Sequence, residues 1–335
     1  MGKAARCPAI SKHAPLSEMV ACDIAIDEAA LQTLHLAVRP ARINLSKRTL
    51  LMAGAGAMMG ATAWAQSPGV LPVVLGQVSL SFYAVTGAVV QEVLERLGHQ
   101  VELRQGPHEE IFPLLGNRQI DLMAAVWLPE GHRDYWKRYG SEAEEVARLY
   151  EGAKFFWGVP SYVPEDDVAS IEDLTKPSVV ERMRKLIQGI GAGATITTLS
   201  QRAVDEYRLA PHGYLLKPGT QSEWIAAFNS AVTEQHWIVF PTWAPQYLNR
   251  GAQLRALADP RGVLGGVNHG ALVAPRENFQ LIPAATRNVL ARIEIGLDGV
   301  TEMDWLVNVE GRTPLEAARA WMLQNEERTS AWLKA

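Results

Sequence analysis

The feature that most constrains this chain is a repeated alternation of short apolar runs with amphipathic helical stretches. It starts at Val73-Val74-Leu75-Gly76-Gln77-Val78, which reads as a buried strand. A helix follows over about 86–97, with Val89, Val90, Val93, Leu94 and Leu97 at helical spacing and Gly98 as its stop. Val101-Glu102-Leu103 reads as a second strand, a helix lies near 109–115, and 120–126 forms a buried strand ending at Trp127. Strands separated by helices are joined by crossovers, so the sheet is expected to be mainly parallel and covered by helices.

A second pass of the same grammar begins after Pro160 and Pro164. It predicts a helix over 181–187, the turn Gly189-Ile190-Gly191-Ala192-Gly193, a helix over 199–207, another over about 222–234, and the strand Trp237-Ile238-Val239-Phe240. Two α/β units are therefore expected. Near the C-terminus, Thr313 caps a helix, Pro314 takes its first position and Glu316 completes a capping box.

Ahead of this region, Ser46-Lys47-Arg48-Thr49 precedes an apolar, small-residue run over 50–63, and Ala63-Trp64-Ala65 stands before Gln66. A basic region, a short apolar stretch and an A-x-A site form a secretory signal, and the run is too short to span a bilayer. Residues 46–65 are read as a signal peptide that delivers a soluble chain to the periplasm. Residues 1–45 hold Glu18, Asp23, Asp27 and Glu28, which do not suit a signal, and are read as an extra or mis-assigned leader. Both cysteines, Cys7 and Cys22, fall in that leader. The chain beyond Gln66 then has no disulfide, no thiol-bound metal and no lipid attachment point.

At 48% hydrophobic and 20% charged, with a formal net charge of -4, the 335 residues have the balance of a soluble globular protein. No basic excess marks a nucleic-acid or anionic-membrane partner. Of ten tryptophans, Trp127 and Trp243 each stand just after an expected strand and are followed by proline in Trp127-Leu128-Pro129 and Trp243-Ala244-Pro245. Open α/β sheets bind ligands outside the carboxyl ends of their strands, so two indoles there can face one ligand. A desolvated cation over an aromatic face gains about 2 kcal/mol or more. A quaternary ammonium has no N–H to donate, so an aromatic cage suits it. Core packing is the competing reading for this pair and the preferred one for the other tryptophans of the strand-and-helix region.

Gly189 to Gly193 run through Ala194 into Thr195, Ile196, Thr197 and Thr198. Such a turn leaves backbone N–H groups at a helix N-terminus, where a carboxylate or phosphate can bind, and Thr195 and Ile196 are the candidate donors. A flexible turn with capping threonines is the alternative. Neither a Lys-Ser/Thr pair nor G-x-G-x-x-G spacing is present, so this is not a nucleotide loop. His132, five residues after Trp127, either caps the next helix or reaches a ligand carboxylate. No metal-ligand spacing, no G-x-S-x-G and no assembled catalytic set occurs, so no metal, cofactor or enzymatic reaction is expected.

At these residues the chain resembles the substrate-binding proteins of ABC importers for glycine betaine, choline and related compatible solutes. The most specific pieces are Asp121-Leu122-Met123-Ala124-Ala125-Val126-Trp127-Leu128-Pro129 with His132, Phe240-Pro241-Thr242-Trp243-Ala244-Pro245, and 301–333. The resemblance covers about 73–333. It implies an α/β, two-lobed periplasmic-binding-protein fold of type 2, each lobe a mainly parallel sheet flanked by helices, joined by a two-stranded hinge. Lobe one would be 71–158 plus 265–335, and lobe two 159–264. It further implies Trp127 and Trp243 as cage walls from opposite lobes, Thr195 and Ile196 as backbone donors to a carboxylate, and His132 as another carboxylate contact. A third cage tryptophan of the family falls near Leu80, where this chain reads Ser79-Leu80-Ser81-Phe82-Tyr83. Either Tyr83 or Phe82 completes the cage, or the cage is incomplete and the ligand differs. The function implied is capture of a quaternary-ammonium solute by a periplasmic monomer, which hands it to a membrane permease with its ATPase. Carnitine, proline betaine and taurine are alternative ligands, and an exported α/β enzyme is the alternative class.

Overall fold

A computed structural model describes residues 72–251 and 253–334, all within the unit Ala65–Ala335. The leader, the signal segment and both cysteines lie outside the described residues. The chain opens with β1 (Val73–Val78), α1 (Ser81–Arg96), β2 (Val101–Gly106), α2 (His108–Gly116) and β3 (Leu122–Leu128), the order that the alternation predicts. Next come α3 (Arg133–Tyr139), the long β4 (Ala143–Pro160), α4 (Pro177–Arg182), β5 (Leu186–Gln188), α5 (Thr195–Glu206), β6 (Leu215–Lys217) and α6 (Gln221–Thr233). Three strands follow, β7 (Phe240–Ala244), β8 (Leu254–Ala256) and β9 (Asn268–Pro275). Five helices end the described chain: α7 (Arg276–Leu281), α8 (Ala284–Leu290), α9 (Leu297–Asn308), α10 (Pro314–Gln324) and α11 (Glu326–Leu333).

The main sheet runs β2-β1-β3-β9-β4-β7, with β8 also on β4. β1 pairs in parallel with β2 and β3, whereas β9 is antiparallel to β3 and β4. β4 changes partner along its length. It pairs with β9 as far as Ala153, then with β7 from Lys154 and with β8 from Gly158. β5 and β6 form a separate parallel pair. Two apolar cores result. One gathers β1, β3, β9, the first half of β4 and the helices α1, α9 and α10, and it also receives Trp224, Phe240 and Trp243. The other is drawn from Trp157 through Leu264. Among the described residues no helix is long and apolar enough to cross a membrane.

Four expectations are corrected. The main sheet is mixed rather than mainly parallel, because β9 runs antiparallel between β3 and β4, and β7 and β8 pair antiparallel with β4. α1 starts at Ser81 rather than near Thr86, because residues 82–90 are buried on every side and no polar stripe marks the first turn. Residues 186–188 form β5 rather than the end of a helix, since their partner is β6 nearly thirty residues away and a local window cannot register it. Trp127 and Trp243 lie inside β3 and β7, each one residue before the strand ends. The C-terminal signal holds as written: the Thr313 side chain accepts from the Glu316 N–H, and the Glu316 carboxylate accepts from the Thr313 N–H at 2.8 Å.

Candidate ligand-binding site

The pairing of β3 with β9 shifts register between Met123 and Val126, and Ala125 there adopts a left-handed φ of 61°. Such a residue carries about 1–3 kcal/mol of strain and marks a bulge that re-aims the side chains beyond it. Two residues on, the buried Trp127 indole donates from Nε1 to the Tyr150 hydroxyl at 2.7 Å. Tyr150 comes from β4, and its ring lies flat against Gly270 of β9, where a Cβ would meet ring carbons at 2.2–2.5 Å. Phe155, also on β4, packs 4.9 Å from Trp127.

Trp243 reaches the same cluster from β7. It is 3% exposed, and Trp224 of α6 stacks on it at 4.8 Å and 21°. Among the described residues its buried Nε1–H has no hydrogen-bond partner. Phe82, in the first turn of α1, joins the two: its ring centroid is 5.8 Å from Trp127 at 59° and 5.6 Å from Trp243 at 46°.

Tyr83 is next to Phe82 but faces another way. Its hydroxyl lies 3.2 Å from His132 Nε2, while His132 Nδ1 accepts the Trp127 backbone N–H at 2.9 Å. An imidazole that accepts at Nδ1 carries its proton on Nε2, so His132 donates to the Tyr83 oxygen and Tyr83 keeps its own hydrogen to give. Burial, reinforced by neighbouring His108, pushes the His132 pKa well below the ordinary range, so the ring is neutral. Burial likewise brings His108 down to about 4, and burial with the nearby Tyr150 raises the Tyr83 hydroxyl well above its usual value. His132 therefore has both ring nitrogens engaged by protein, which the sequence reading of a free carboxylate contact does not anticipate.

The glycine-rich turn closes over this cluster. The Thr195 side chain donates to the Gly131 carbonyl, and the Tyr135 hydroxyl donates to the Gly193 carbonyl at 3.0 Å. Thr195 and Ile196 are the first two residues of α5, and among the described residues their backbone N–H groups have no acceptor. A cavity of about 270 Å³ adjoins them, lined in part by Leu80, His108, Glu109, Ile190, Gly191 and Gln221. A larger cavity of about 660 Å³ lies at the other end of β1, around Val73, Asp121 and Leu281, and among the described residues no Trp, Tyr or Phe lines it.

Phe82, Trp127 and Trp243 thus share one cluster, Tyr83 and His132 form a hydrogen-bonded pair beside it, and Thr195 meets the loop between Trp127 and His132. Sequence reasoning missed Tyr150, Phe155 and His108 as neighbours of these rings. The first two reach Trp127 through β4, whose non-local pairing no local pattern reveals. His108 showed no metal spacing, and no other signal points to its aromatic contacts.

A family model described as the substrate binding domain of ABC-type glycine betaine transport systems matches residues 72–324, from the first described residue to the end of α10. The glycine betaine/carnitine transport binding protein GbuC of Listeria monocytogenes is 26% identical over 157 residues, 47% of this chain and 52% of that protein. The chain thus spans about half the length of that curated relative. Among solved structures, lactococcal OpuAC in its closed form with glycine betaine has a TM-score of 0.70 at 24% identity, covering 78% of this chain and 99% of that one. An ABC-transporter choline binding protein in complex with choline has a TM-score of 0.69 at 20% identity, covering 78% and 91%. At these identities the structures show the two-lobed fold.

Proposed function

The chain belongs to the family of substrate-binding domains of ABC-type glycine betaine transport systems, and from that premise we propose that it captures a small quaternary-ammonium zwitterion or cation, such as glycine betaine or choline. The observation that carries this reading is the placing of Phe82, 5.8 Å from Trp127 and 5.6 Å from Trp243. In the structure the three rings pack on one another, and a cation admitted between them as they part would lie within about 6 Å of all three centroids, the range over which aromatic faces hold it. A fully alkylated nitrogen makes no use of hydrogen-bond acceptors, so the three faces take the place of a carboxylate partner. Phe82 is the third wall in this reading, and Leu80 belongs to the adjoining cavity.

The oxygen end of the ligand meets donors that have no acceptor among the described residues: the Thr195 and Ile196 N–H groups, Trp243 Nε1–H and the Tyr83 hydroxyl. His132 acts through Tyr83, whose oxygen it holds. The change of partner along β4 at Ala153 and the second core from Trp157 to Leu264 support lobes of 71–158 plus 265–335 and 159–264. Because walls come from both lobes, ligand favours the closed form. The loaded protein then works outside the cytoplasm as a monomer, delivering solute to a membrane permease and its ATPase without altering it.

Calorimetry on refolded, ligand-free protein with glycine betaine, choline, carnitine and taurine tests the reading. At least one quaternary amine is expected to bind with a Kd on the order of micromolar, about -8 kcal/mol. Binding of taurine, a primary amine, with no quaternary amine bound would overturn it.

A further inference from the structure

Ser81 opens α1 immediately before Phe82, and its hydroxyl is a junction. The oxygen accepts from Gln221 Nε2 at 2.9 Å and from Asn308 Nδ2 at 3.0 Å. The Asn308 amide that reaches Ser81 also reaches the carboxylate of Asp304. Asp304, on α9, is 1% exposed. Its Oδ1 accepts from Asn308 Nδ2 at 3.0 Å, and its Oδ2 accepts from the Tyr247 backbone N–H at 2.7 Å. Tyr247 stands four residues after Trp243. One buried carboxylate therefore ties the turn that carries Phe82 to the segment that carries Trp243.

Through Asn308 the same carboxylate holds Ser81, and Ser81 in turn is the acceptor for Gln221, the first residue of α6, whose Trp224 stacks on Trp243. An amide in place of the carboxylate turns a donor toward either Asn308 Nδ2 or the Tyr247 N–H, both of which already donate, and one of them loses its acceptor.

We propose that Asp304 and Ser81 are positioning residues for ligand capture: without touching the ligand, they align Phe82 with Trp243 and present a fixed acceptor to Gln221, so that the Ser81–Gln221 hydrogen bond latches the closed form. This rests on the cage reading above. The variants Ser81→Ala and Gln221→Ala cut the latch at its two ends, Ser81→Thr keeps the hydroxyl, and Asp304→Asn removes its orientation.

Stopped-flow tryptophan fluorescence with glycine betaine and with choline reads the outcome. Ser81→Ala, Gln221→Ala and Asp304→Asn are expected to raise koff about 3- to 10-fold, the scale of one net hydrogen bond, with kon within about twofold of wild type. Ser81→Thr restores the wild-type koff, and Ser81→Ala combined with Gln221→Ala is no faster than Ser81→Ala alone. Should Asp304→Asn fail to fold, the two alanine variants and the threonine variant still decide the matter. A lowered Tm with koff unchanged in the alanine variants overturns the latch while leaving the cage intact. If wild type binds no quaternary amine of the calorimetric panel, the cage reading fails and the latch with it.

Discussion

Replacing Phe82 with leucine keeps an apolar side chain in the first turn of α1 but removes the ring that lies within 6 Å of both Trp127 and Trp243. For a desolvated cation one aromatic face is worth about 2 kcal/mol. With tenfold per 1.4 kcal/mol, the Kd for a quaternary amine should rise about 30-fold. Leucine also packs less well than phenylalanine between two indoles, so affinity alone does not separate a lost cation interaction from a loosened pocket. The separating assay is calorimetry of Phe82→Leu against each quaternary amine and its tert-butyl analogue, in which carbon replaces the charged nitrogen at almost the same shape. The charged ligand should weaken about 30-fold and the neutral one by no more than about threefold, since only the first feels the ring's quadrupole. Equal weakening of both would show that Phe82 packs rather than cages, and no weakening would remove it from the site.

Tyr150→Phe leaves the Trp127 Nε1–H buried without its acceptor, a loss of about 1–3 kcal/mol; urea unfolding should show it, and an unchanged midpoint would mean that the indole finds another partner. Gly270→Ala drives a methyl into the Tyr150 ring at 2.2–2.5 Å, so overpacking should destabilise the fold by about 1–3 kcal/mol and weaken ligand binding together, and a normal Tm would refute the tight contact. Acid should destabilise through His108. Its pKa is about 4 in the fold, set by burial, against about 6.5 in the unfolded chain. Above 6.5 it is neutral in both states; as pH falls from 6.5 to 4 only the unfolded state takes up the proton, and stability declines by about 1.4 kcal/mol per unit. Asp304, raised to about 6 by burial, acts in the opposite sense over the same window. His108→Phe therefore isolates the histidine: it should lose about 2 kcal/mol less than wild type between pH 7 and pH 4.5, and equal losses would contradict a neutral buried ring.

Much of the frame is local in origin and can be read from the chain directly. The apolar hexapeptide at 73–78 is β1 with the same limits, and Thr313, Pro314 and Glu316 specify the start of α10, because a strand's burial and a helix cap depend on residues within a few positions of one another. Trp127 and Trp243 stand out locally too, as indoles two residues ahead of a proline, although they lie inside β3 and β7 rather than after them. What the sequence does not carry is which groups meet them. Phe82 and Tyr83 are adjacent and chemically alike, yet one spans the two indoles and the other turns to His132, a choice made by where the fully buried first turn of α1 settles between β3 and α9. Tyr150 reaches Trp127 only because β4 pairs with β9 at Gly270, and His132 loses its freedom only because Trp127 and Tyr83 occupy its two nitrogens. The Ser81 junction draws on residues 140 and 227 positions away. Patterns of burial and capping are set by near neighbours and so are written in the sequence; the direction of a ring, a lone pair or a proton is set by partners that only the folded chain brings within reach.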